Sequence, residues 1–224
     1  MNELLFADFR EEWLEAVRPE VKLTTFGGHQ MNVQRAIIPY FRKKGILSQR
    51  LTADDINEFY ADQLKRVKGM TVSKFHANIS SAMKYAVEKG YITHTVTGKV
   101  KRPKIERFVG KFPLESETIK LFKAVKGHKL ELAVIFGVFY GIRRSEVVGL
   151  RWESINFEAN TITIEHTATE ANVDGKKISL ASDTTKSKSS FRTLPLVPKI
   201  RDRLLEIKAE QDINKKLCGK SYID

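Results

Sequence analysis

Residues 96–112, VTGKVKRPKIERFVGKF, constrain this chain more than any other stretch. Lys99, Lys101, Arg102, Lys104, Arg107 and Lys111 stand against one acid, Glu106, and Pro103 interrupts the run. Proline cannot donate to a helix or a sheet ladder, and like charges at this density resist burial. The stretch therefore reads as an extended basic linker, and each flank must build its own core. Hydrophobic residues make up 42% of the 224, enough for two small cores. The expected division is a helical domain at residues 1–95, the linker at 96–112 and a second domain at 113–224.

The first flank is periodic at helical spacing. Leu5, Phe6, Phe9, Trp13, Leu14 and Val17 form one apolar stripe, ended by Pro19. Thr24 and Thr25 precede a second run with Met31, Val33, Ile37, Ile38 and Phe41 on its apolar side, closed by Gly45. Thr52 caps a third, with Asp54 and Asp55 in the first turn, where the helix dipole favours acids. A fourth opens at Thr71, carries Phe75, Ile79, Ala82, Met83 and Ala86, and ends at Gly90. Four helices are expected.

The second flank mixes periods. Leu114 to Lys126 reads as a helix entered through Glu115 or Ser116, and Lys129 to Tyr140, nearly all apolar, as a buried helix. Gly141 breaks it, and a further helix follows from Arg143. Residues 155–166 read as a hairpin with alternation at Thr161 to Ile164. Residues 168–183 read as polar and irregular, with an extra strand at Lys177 to Leu180. Phe191 to Leu196 reads as a strand kept to an edge by Pro195, and a last helix runs from Pro198 to about Gln211. The expected class is mainly α with a small antiparallel β-sheet.

The 39 Lys and Arg exceed the 27 Asp and Glu by 12. Such an excess points to a polyanion, because basic side chains release the counterions of phosphates. Cys218 is the only cysteine, which excludes an internal disulfide and fits a reducing cytoplasm. The first residues read as neither a signal peptide nor a membrane span, so no membrane partner is expected.

Two segments carry candidate chemistry. In YGIRRSEVVGLRW, Arg143 follows a glycine break at a helix start, where a guanidinium fork can take two oxygens of one phosphate. Glu146, three residues on, can fix that fork, although an ordinary surface ion pair fits the same spacing. In TTKSKSSFRTLPL, Lys186 stands in a polar turn between strands, where it can act as general acid toward a departing oxygen or simply face solvent. In the linker, Lys99, Lys101, Arg102 and Lys104 are candidates for phosphate contact. His76 fits a DNA-facing or a capping role equally.

These two segments, in this order, resemble the tyrosine recombinases, the phage-type integrases, including those of conjugative transposons. LTADDINEFYADQL and TVSKFHANISSAMKYAVEKGYI are similar to the family's helical, SAM-like core-binding domain. The resemblance implies a core-binding domain followed by the first half of an α+β catalytic domain. It implies Arg143 as a phosphate-binding catalytic arginine, Lys186 as the general-acid lysine and Glu146 as the acid supporting Arg143, and on the first domain it implies Lys65, Arg66, Lys68, Ser73, Lys74 and Asn78 as DNA contacts. The implied activity is site-specific cutting and rejoining of double-stranded DNA through a 3′-phosphotyrosine, with no cofactor or metal, by oligomers on DNA. The resemblance also calls for a His-x-x-Arg motif and a nucleophilic tyrosine after the lysine. None of His29, His76, His94, His128 and His166 has Arg three positions on, and all precede Lys186. Tyr222 is the only tyrosine after Lys186 and lacks such surroundings. The expectation is a chain truncated before those motifs that binds without cutting. A DNA-binding regulator without chemistry is the alternative, and it leaves Arg143, Glu146 and Lys186 unexplained.

Overall fold

The apolar stripes of the first flank close on one another as helices. The computed structural model of the chain describes residues 4–183 and 191–222. Helix α1 spans Phe6–Val17, α2 Leu23–Asn32, α3 Ile38–Lys44, α4 Ala53–Leu64 and α5 Gly69–Glu88. A π turn, Val33–Ile37, joins α2 to α3 in one continuous run. Pro39 cannot give an N–H to the carbonyl of Arg35, and the helix widens just before it. Gly45 closes the run in the left-handed region at φ 65°. Thr52 caps α4: its Oγ1 accepts from the Asp55 N–H at 3.2 Å, and its own N–H donates to Asp55 Oδ2 at 2.9 Å. Helix α5 starts two residues earlier than expected, with Lys68 in the capping position.

The core of this unit is aromatic. Phe41 meets Phe6 edge-on at 4.8 Å and Phe59 at 5.3 Å, and Phe59 meets Phe75 at 5.8 Å. Arg10 lies inside as well, fully buried, with Nη1 donating to the carbonyl of Asn78 at 3.0 Å and the guanidinium over the Phe6 ring. Burial pushes its pKa down to about 9, because no carboxylate offsets the lost hydration.

The chain forms two compact units. The first holds residues 1–112 together with 170–178, and the second holds 113–169 and 179–224. In the second unit α6 spans Glu115–Ala124, α7 Glu131–Phe139 and α8 Arg144–Val148. Strands β1 (Ile155–Asn156) and β2 (Thr161–Ile164) form a hairpin turning at Asn160, φ 50°. Strand β5, Arg192–Pro195, pairs antiparallel with β2 in the sheet order β1-β2-β5, with Ile162 opposite Leu194. Pro195 therefore sits on an edge strand, where its missing N–H costs no ladder bond. Helix α9, Pro198–Cys218, runs well past Gln211. The core gathers Phe136, Ile142, Ile155, Ile162, Ile164, Leu196, Ile200 and Leu204.

Two expectations need correction. Helix α7 is not buried all round: Phe136 points into the core, while Val138 and Phe139 are exposed. Residues 168–183 are not irregular either. Strands β3 (Thr167–Val173) and β4 (Lys176–Ser182) form a second hairpin whose turn, Asp174-Gly175, takes positive φ at both positions. Its end, residues 170–178, packs with the helices of the first unit. Ala171 and Val173 are buried there, Gln30 donates to Asp174 Oδ1 at 2.7 Å and accepts from the Asp174 N–H at 2.9 Å, and Arg18 pairs with Asp174 at 2.8 Å.

Candidate DNA-contacting site

Gly141 sets the entry to the site. Its left-handed backbone, φ 62°, ends the α7 direction, and Ile142 then drops into the core. Arg143 follows in an extended conformation at the cap of α8. Glu146 reaches back and accepts the Arg143 N–H at 3.0 Å with Oε2 and its Nη1 at 2.8 Å with Oε1. The guanidinium of Arg143 remains 67% exposed, whereas Glu146 is 2% exposed. Helix α8 has five residues, too few for a strong dipole, so the charge at this point comes from side chains.

A further residue joins them from the sheet. Arg192, the first residue of β5, donates to Glu146 with Nη2 at 2.9 Å and with Nη1 at 3.3 Å. Burial alone would raise the Glu146 pKa. The bonds from Arg192 and from the backbone and side chain of Arg143 outweigh it and hold the carboxyl down to about 2. Behind β5, Tyr140 donates to the Pro195 carbonyl at 3.0 Å and accepts from the Val197 N–H at 3.2 Å, tying the strand's end to α7. After α8 a Cβ on Gly149 would lie 2.7 Å from Thr167 Cα, so only glycine lets β3 start that close.

The structure brings Arg143 and Glu146 together as the sequence reading expected. Lys186 lies outside the described residues. The contact of Arg192 with Glu146 was not foreseen. The available signal was strand alternation, which puts Arg192 on the same side as the half-buried Leu194, where a cation needs a partner.

On the first unit, Lys65 and Arg66 follow α4 and both pair with Asp62, at 3.8 Å and 3.3 Å. Lys68 and Lys74 are exposed on α5 and Ser73 is half-buried. The linker backbone runs close over the start of α5: a Cβ on Gly69 would lie 2.4 Å from the Lys104 carbonyl oxygen, and Lys101 N–H donates to Asn57 at 3.2 Å. Lys104 is thereby brought to the start of α5, next to Lys68 in the capping position, while Lys101 lies against α4, and Lys99 and Arg102 are exposed along the same segment. Asn78 is a correction. It is 2% exposed, with Oδ1 at 2.7 Å from His29 Nδ1, and a side chain held there cannot meet DNA. His76 is also buried, its Nδ1 at 2.7 Å from the Tyr60 hydroxyl, and burial pushes its pKa down, reinforced by the charge of Arg102.

Among the described residues no group of three His, Cys, Asp or Glu could hold a metal ion. No helix among them is long and apolar enough to cross a membrane.

Comparison with known proteins gives the same class from sequence and from shape. Residues 5–64 match the family described as phage integrase, N-terminal SAM-like domain. A tyrosine recombinase XerC-like protein of Caldanaerobacter subterraneus subsp. tengcongensis is 26% identical over all of this chain and 60% of its own length. Among solved structures, the Tn1549 transposon integrase in complex with a circular intermediate DNA superposes with a TM-score of 0.71 at 14% identity, covering 93% of this chain and 66% of that one. A lambda integrase dimer bound to a COC′ core site gives 0.63 at 15% identity, covering 97% and 56%. The fold is like that of those two integrases: a helical unit that carries the SAM-like match, followed by an α+β unit. The chain is similar to that tyrosine recombinase along its whole length, and it spans about 60% of the length of that curated relative.

Proposed function

We propose that this chain is the DNA-holding portion of a site-specific integrase, with Arg143 as the guanidinium that receives the phosphate to be cut. The observation that carries the reading is the posture of Arg143. It stands 67% exposed while the carboxylate that orients it is buried beneath it. An ordinary surface pair leaves both partners in water and earns little; here the orienting half is desolvated and the receiving half is presented. The basic residues gathered at the start of α5 and along the linker supply backbone contacts that position a duplex without reading its sequence.

On this reading Lys186 protonates the departing 5′ oxygen, as the family resemblance implies. A tyrosine nucleophile forms a 3′-phosphotyrosine in the complete enzyme, which works as a homo-oligomer on double-stranded DNA in the bacterial cytoplasm, at the nucleoid. These 224 residues hold no His-x-x-Arg segment, so by themselves they bind without cutting. A fluorescence titration of a short mixed-sequence duplex against salt tests the binding. The expected result is an affinity that falls steeply with salt, and each contact removed from the set Lys68, Lys101, Arg102 and Lys104 lowers the log–log slope by about one. A salt-independent affinity would overturn the proposal.

A further inference from the structure

Helix α9 has two apolar sides, and the second unit covers only one of them. Ile200 and Leu204 are buried in its core, and further along the same side Gln211 accepts from Trp152 Nε1 at 2.8 Å. The opposite side carries Leu205, Ala209, Ile213 and Leu217, each one turn after the last. Leu205 is 38% exposed, Ile213 57% and Leu217 79%. A helix on the surface of a folded unit keeps charged and polar residues on its outer side, so an apolar stripe there calls for a partner. The end of the helix needs one for a second reason. From Ala209 to Cys218 every residue of α9 is exposed, and a helical stretch of that length is marginal in water with nothing packed on it.

The charges beside the stripe select the partner. Glu206 and Glu210 flank its first half and Lys216 its second, so the stripe is complementary to itself when reversed. We propose that two copies of this chain pair antiparallel along α9, about a twofold axis at the level of Gln211. The pairing sets Leu205 against Leu217, Ala209 against Ile213 and Glu206 against Lys216, each contact made twice. Glu206, which Arg203 meets at 2.8 Å within the chain, gains a second cation. Glu210 comes beside Asp212, whose charge Lys208 offsets at 3.5 Å. A parallel pair would instead set Glu206 against Glu206 and Lys216 against Lys216, and like charges repel. The contact covers only a few turns of helix, so the dimer is weak and concentration-dependent. It forms without DNA and is independent of the reading of Arg143.

Sedimentation velocity of the 224-residue chain without DNA, over a rising concentration series, tests the pairing. The chain should pass from monomer to dimer, and the double variant Ile213→Glu/Leu217→Glu, changed only at exposed positions, should stay monomeric. Glu206→Lys and Lys216→Glu should each weaken the dimer, and the two together should restore it. Those residues lie about 15 Å apart along one helix, so restoration arises only between copies. A spin label on Cys218, the only cysteine, reads the direction. Antiparallel copies hold the two labelled positions about 20 Å apart along the helix axis, whereas parallel copies set them side by side. Monomers at every concentration would leave the stripe to another part of a longer enzyme and overturn the proposal. A dimer that survives Ile213→Glu/Leu217→Glu, a charge swap that restores nothing, or labels lying side by side would overturn it as well.

Discussion

A carboxylate held near pH 2 inside a protein is a stability element as well as a positioning device. Glu146 titrates at 4.5 in an unfolded chain and at about 2 here. The folded state therefore binds the proton less readily than the unfolded state. Its contribution is fully present above about pH 4.5 and is lost as the pH falls toward 2, and two and a half units correspond to about 3 kcal/mol. Urea denaturation followed between those limits should show the native chain losing stability more steeply than Glu146→Gln. Parallel pH profiles for the two proteins would mean that the two arginines do not hold the carboxylate. The first half of this cluster was legible in the sequence because Arg143 and Glu146 lie on one helical turn, three residues apart. Arg192 was not, because a contact 46 residues away leaves no local spacing to read. Arg10 was illegible for a related reason. A single charge beside an apolar stripe reads as solvated, and only the packing of α1 on α5 turns it inward.

The hairpin of β3 and β4 shows how an element can hide. Its residues read as irregular because their partners are distant helical residues: Gln30 and Arg18 on Asp174, and Gly27 beneath Asn172. Beside the strand expected at Lys177 to Leu180, which falls within β4, the local sign was the Asp-Gly pair at 174–175, a dipeptide suited to a two-residue hairpin turn. The two glycines of α2 separate the hairpin's demand from helix propensity. A Cβ at Gly27 would lie 2.5 Å from the Asn172 carbonyl oxygen, a backbone atom that cannot swing aside, whereas at Gly28 it meets nothing within 4 Å. Gly27→Ala should lose about 1–3 kcal/mol and speed amide exchange across residues 170–178. Gly28→Ala should gain about 0.5–1 kcal/mol through the helix backbone. Equal tolerance of both substitutions would show that the hairpin is not held against α2. Helix α7 failed in the opposite sense. A run apolar on every side announces burial without naming what buries it, and Phe136 is covered while Val138 and Phe139 are not.

At the scale of the whole chain, the helical unit was the most legible part because its stripes face one another and each is closed by a proline, a glycine or a capping threonine. Chemistry was legible only as far as charge and spacing reach. Tyr222 is where that limit can be measured. It lines a groove of about 820 Å³ with the apolar Leu132, Phe136, Trp152 and Leu204 and the charged Lys129, Arg151 and Glu153. A phenol needs a base or converging cations held in one geometry to act as a nucleophile, and the sequence supplies no His-x-x-Arg segment to complete such a set. These 224 residues, incubated with supercoiled plasmid carrying many candidate sites, should leave it supercoiled. A denaturing gel of protein with labelled duplex should show no shifted covalent band. Nicked plasmid together with an adduct abolished by Tyr222→Phe would make Tyr222 the nucleophile. The groove would then have to close around it when DNA binds, and the phosphate received by Arg143 would have to lie within its reach.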